Sequence, residues 1–91
     1  MLSSNTKIIR KKLPWQELDE KIVILSPVTR MSHELNETSS WIWKEIEQEI
    51  PFEKLLCQLI DNFEVDGQVA GQDLQDILRI LHDKGLIEIN D

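Results

Sequence analysis

The chain has 91 residues, with 10 Lys and Arg against 17 Asp and Glu, a net charge of −7 and 41% hydrophobic residues. That length suits a single domain, and so small a domain leaves little material for a deep catalytic pocket beside its core. No apolar run approaches the ~20 residues of a membrane span. Lys7, Arg10, Lys11 and Lys12 are followed by no apolar segment of the kind a secretory signal carries.

The charge is unevenly spread. The first twelve residues hold four cations and no acids, so residues 13–91 set six cations against all 17 acids, a balance of −11. Affinity for phosphate backbones comes from clustered Lys and Arg, and this body offers no such surface. Residues 1–12 read as a flexible basic arm, solvated rather than functional, and residues 13–91 as the domain. The single cysteine, Cys57, excludes an internal disulfide and agrees with a cytoplasmic setting. Among Leu55, Leu56, Leu59 and Ile60 it reads as a small buried hydrophobe.

Trp15 to Leu18 predicts a short strand. Ile22 to Leu25 is a β-rich run, ended by Ser26-Pro27, because proline removes a ladder donor and favours a turn. From Thr29 to Leu35 the pattern alternates, with Met31, His33 and Leu35 on one side and Arg30, Ser32 and Glu34 on the other. These segments form a three-stranded antiparallel sheet.

Asn36 suits the N-cap of a first helix and Glu37 its positive end. Trp41, Ile42 and Ile46 share one face, with Trp43 to the side. Pro51 fits the first turn of a second helix, whose apolar stripe is Phe52, Leu55, Leu56, Leu59, Ile60 and Phe63. Asp66 can cap a third, in which Leu74, Ile77, Leu78 and Leu81 recur at helical spacing and Gly71 is a weak spot. Gly85 can take the left-handed conformation that ends this helix, with Leu86 folding back on Leu81. Leu86 to Ile89 runs on as an extended tail. The predicted class is α+β: a three-stranded antiparallel sheet followed by three helices, winged-helix-like in order.

Two motifs in this order are distinctive. One is Leu35-Asn36-x-Thr38-x-x-x-Ile42-Trp43, where the last strand turns into the first helix. The other is Asp73-Leu74-x-x-Ile77-Leu78-x-x-Leu81, followed by Gly85-Leu86-Ile87. From Trp15 to Ile89 the chain resembles the PqqD-like family, the RiPP recognition elements. Members bind the leader of a ribosomally made precursor peptide and present it to modifying enzymes. The chain departs from the family pattern in lacking a Gly at 47–50, in having Pro51 where Thr is common, and in having Met31 and His33 where an aromatic is frequent.

The resemblance implies a non-catalytic adaptor in which an extended leader adds as a fourth strand to the free sheet edge. The implied edge is Thr29, Arg30, Met31, Ser32, His33 and Glu34, through Leu35. The opposite wall is the third helix, where Ile80 is left over once Leu74, Ile77, Leu78 and Leu81 fill the core. Ile77, Ile80 and Lys84 would border the groove. The implied partners are the leader segment and a separate maturase, without nucleic acid or membrane. An unfilled edge also allows pairing with a second copy.

No phosphate loop, CxxC, HExxH or G-x-S-x-G is present, and no cofactor is implied. His33 and His82 could hold a metal only if Cys57 or Glu34 converged with them, and the spacing gives no support. The alternative function is a winged-helix nucleic-acid-binding regulator. Its third helix would enter the major groove, yet this one sets Asp73, Asp76 and Asp83 against Arg79 and Lys84.

Overall fold

In the computed structural model, which describes residues 2–27 and 29–90, the chain builds two small antiparallel sheets and three helices. The first sheet has the order β2 (Trp15–Leu18), β3 (Lys21–Ser26), β4 (Met31–Glu34). A two-residue turn joins β2 to β3, and its Asp19 and Glu20 both have positive φ, 51° and 68°. Positive φ at both central residues is the geometry that matches strand twist in a tight hairpin.

Register fixes which face is inward. Ile22 and Ile24, both 0% exposed, lie on one side of β3, and His33 of β4 sits opposite Ile24. Met31 sits opposite Ser26, and the Leu35 N–H bonds to the Ile22 carbonyl. Met31, His33 and Leu35 therefore share the inner face, as their alternation predicts. Ser40 closes the ladder's end, its hydroxyl accepting from the Ile22 N–H and donating to the Leu35 carbonyl.

The second sheet is not in the sequence reading. Its order is β5 (Ile50–Pro51), β1 (Lys7–Arg10), β6 (Ile87–Asn90). The expected arm of residues 1–12 thus contributes a strand to the fold, and its Ile8 is fully buried. The extended tail is likewise a paired strand, with Lys7 opposite Asn90 and Arg10 opposite Ile87. The expectation of one sheet followed by three helices holds for β2 to α3, but this sheet draws its strands from three distant parts of the chain.

The helices are α1 (Glu37–Glu45), α2 (Phe52–Phe63) and α3 (Gly67–Asp83). Asn36 caps α1 by accepting from the Ser39 N–H at 2.8 Å, and Asp66 caps α3 by accepting from Gln68 and Val69. Pro51 stands at the N-cap of α2, one position before the first turn. Helix α3 ends in a Schellman motif: Gly85 at φ 74° donates to the His82 carbonyl, and Leu86 donates to that of Leu81.

Two side chains lie elsewhere than expected. Trp43 is fully buried and Trp41 only half-buried, set edge-on to Phe63 with ring centres 5.6 Å apart. Cys57 is exposed. On a helix, residues two positions away from Leu55 and Leu59 face the opposite side, so apolar neighbours in sequence do not bury it.

Candidate peptide-binding edge

Strand β4 is an edge. Among the described residues it pairs with β3 alone. Opposed residues in an antiparallel ladder alternate between bonded and non-bonded pairs. Leu35 bonds to Ile22, so His33 opposite Ile24 is the next bonded position and its backbone groups turn toward β3. Ser32 and Glu34 fall between, and their N–H and C=O groups turn to the open side. Those are the groups an added strand would take. Glu34 is also held from the outer face by a cross-strand pair with Lys21 at 3.4 Å, both exposed, an arrangement that contributes little stability.

The other predicted edge residues divide by position. Met31 is 60% exposed at the outer end of the inner face. His33 is half-buried, and its Nε2 is buried without a hydrogen-bond partner. Thr29 and Arg30 belong to the turn before β4 rather than to the strand. Arg30 has φ 59° and donates its N–H to the Ser26 carbonyl, so strand-like contacts begin at Met31.

Helix α3 presents three surfaces. Ala70, Leu74, Leu78 and Leu81 are buried in the core. On one flank, Gln72, Gln75, Arg79 and His82 join Leu2 and Ile89 around a cavity of about 470 Å³. Ile77, Ile80 and Lys84 project from the opposite flank, as their spacing of three and four residues requires. Ile77 is half-buried, Ile80 half-exposed and Lys84 exposed. Val69, eleven residues before Ile80, lies three turns away on the same flank and is also exposed. The sequence reading missed it, although the spacing was there to be read.

That cavity is therefore not beside the predicted site residues. Strand addition needs an open edge, not an enclosed volume, so β4 remains the better candidate. Among the described residues no hydrogen bond or ion pair links β4 to α3. Of the two predicted sets, one lies on a sheet edge and the other on a helix flank. His82 turns into the cavity, away from the Ile80 flank. No cluster of three or more His, Cys, Asp or Glu among the described residues is placed to hold a metal. No helix is long and apolar enough to cross a membrane among those residues.

Comparison with known proteins agrees with this architecture. The structure is similar to that of a protein described as TbiB1 in complex with the TbiA(beta) leader peptide. The TM-score is 0.76 at 25% identity, covering 96% of this chain and 93% of the other. No curated protein matches the chain. Residues 21–87 match the family described as Coenzyme PQQ synthesis protein D, a stretch from the start of β3 through all three helices to the first residue of β6. With that match over most of its length, the chain belongs to the PqqD family.

Proposed function

We propose that this protein is a non-catalytic adaptor that binds the leader segment of a ribosomally synthesised precursor peptide and presents it to a separate modifying enzyme. The leader adds to β4 as a further antiparallel strand. Backbone bonds to Ser32 and Glu34 supply attachment, and side chains on the inner face supply selectivity. Met31 and His33 form one side of the groove and Ile77, Ile80 and Lys84 the other, with Thr29 and Arg30 at its mouth. The free edge of β4 carries this reading, supported by the likeness to a structure that holds a leader peptide. A cytoplasmic setting, where precursor and maturase would meet, is part of the proposal, as is pairing of two copies through β4 when no leader is bound.

Hydrogen exchange followed by NMR tests it, using synthetic leaders from short precursor genes that neighbour this one. Binding should newly protect the amides of Ser32 and Glu34, while that of His33, already turned to β3, changes little. Protection confined to α1 and α2 would mean that strand addition is wrong. Peptides that bury area at the low end for specific interfaces should reach Kd values of about micromolar.

A further inference from the structure

His33 is the polar side chain that the fold leaves unfinished on the docking strand. It stands opposite Ile24, which is fully buried, on the inner face of β4, and its Nε2 has neither water contact nor a hydrogen-bond partner. Buried polar atoms are nearly always paired, so an orphan points to a missing partner. Among the described residues the other orphans are Trp43 Nε1 and Gln58 Oε1, which lie on α1 and α2 rather than on β4.

A strand added beside β4 places one side chain next to His33 on this inner face, with Cβ atoms about 4.5–5.5 Å apart. That is within reach of an imidazole, and ring rotation about the second side-chain torsion can present either nitrogen. Neutral imidazole carries one donor and one acceptor. A hydroxyl both donates and accepts, so it satisfies His33 in either tautomer. A carboxylate only accepts, and it would enter a body whose balance over residues 13–91 is −11. An ammonium would have to shed its water beside the apolar Met31, two residues away on the same face of β4.

Resting on the leader-binding reading above, we propose that His33 is the polar selectivity point of the groove and takes the hydroxyl of a Ser, Thr or Tyr side chain on the bound peptide. His33 thereby distinguishes peptides that the backbone contacts alone would accept equally.

The test selects a displayed library of random 12-residue peptides on the full chain, then measures synthetic binders by calorimetry against wild type, His33→Leu and His33→Gln. Enriched peptides should share a Ser, Thr or Tyr at one position. Removing that hydroxyl (Ser→Ala, Thr→Val or Tyr→Phe) should weaken binding to wild type about tenfold and to His33→Leu less than twofold. His33→Gln, which keeps hydrogen-bonding capacity, should restore part of the discrimination. It also serves as the informative variant if His33→Leu fails to fold. A consensus without a hydroxyl, or equal losses on all three proteins, overturns the role of His33 while leaving leader binding intact. Failure of wild type to enrich any peptide overturns the leader-binding reading, and the role of His33 with it.

Discussion

The Arg10 guanidinium lies 5.5 Å from the centre of the Trp43 ring and donates through Nη1 to the Trp43 carbonyl at 3.0 Å. That carbonyl is in the last turn of α1, where the helix offers it no partner. The Arg10 N–H caps the Ile46 carbonyl as well, and its guanidinium lies 5.1 Å from the Trp15 ring. One residue of β1 thus fastens β2 and the end of α1 together.

Arg10→Ala should therefore destabilise the protein by about 2–3 kcal/mol, from one charge-assisted hydrogen bond and the stacking on two rings. Arg10→Lys should recover only part, since a lysine lacks the planar fork. Urea denaturation checks both. Deleting residues 1–12, which removes β1 altogether, should abolish cooperative unfolding; a deletion variant that melts like the full chain would show that β1 is dispensable.

Leu78 is fully buried and Ile80 is 50% exposed, two residues apart on α3. Leu78→Asp should unfold the domain, because an unpaired buried carboxylate costs several kcal/mol. Ile80→Asp should change stability by no more than about 1 kcal/mol yet abolish leader binding. Circular dichroism melting and calorimetry separate the two effects. A folded Ile80→Asp variant that binds normally would place the leader elsewhere.

The elements read correctly from sequence are those with local signals. Asn36 and Asp66 announce helix starts by their own side chains, and Gly85-Leu86 announces a helix end within a few residues. The hairpins from Trp15 to Glu34 join neighbours in sequence. The second sheet has no such signal, because Ile8 pairs with Ile50 and Ile89, and Ile50-Pro51 is only two residues long. Its β1 was hidden by the flanking lysines. The burial of Trp43 lacks a local signal for a related reason: α1 spans only nine residues, and its indole joins a core that, with the Arg10 guanidinium over the ring, is assembled from segments far away in sequence. For the site, alternation placed Met31 and His33 on one face. The turn at Thr29 and Arg30 was not visible, because nothing in the sequence required positive φ at Arg30.

Two glycines should respond in opposite senses to alanine. A Cβ at Gly71, inside α3, would meet the Leu56 side chain at 3.8 Å, an ordinary contact. Gly71→Ala should stabilise by about 0.5–1 kcal/mol through helix propensity. Gly85 has φ 74°, so Gly85→Ala should destabilise by about 1 kcal/mol even though space surrounds it. Thermal melts of the two variants should shift in opposite directions.

The β2–β3 turn carries residual strain, because Asp19 and Glu20 hold positive φ without being glycine. Glu20→Gly should relieve it and raise stability by about 1 kcal/mol. Its effect on peptide affinity should be small, since neither turn residue belongs to β4. A drop in melting temperature would show that Glu20 makes a contact that outweighs its backbone cost.

The pairing of Lys7 with Asn90 brings the first and last strands of the domain side by side. A polypeptide that enters through β1 and leaves through β6 does so at a single place on the surface. The unit can therefore be spliced into a loop of a larger enzyme, with both connecting segments meeting at one point and β4 left free on another sheet. The same arrangement permits a circular permutant in which a short bridge joins β6 to β1 and new ends are opened in the turn at Asp19 and Glu20.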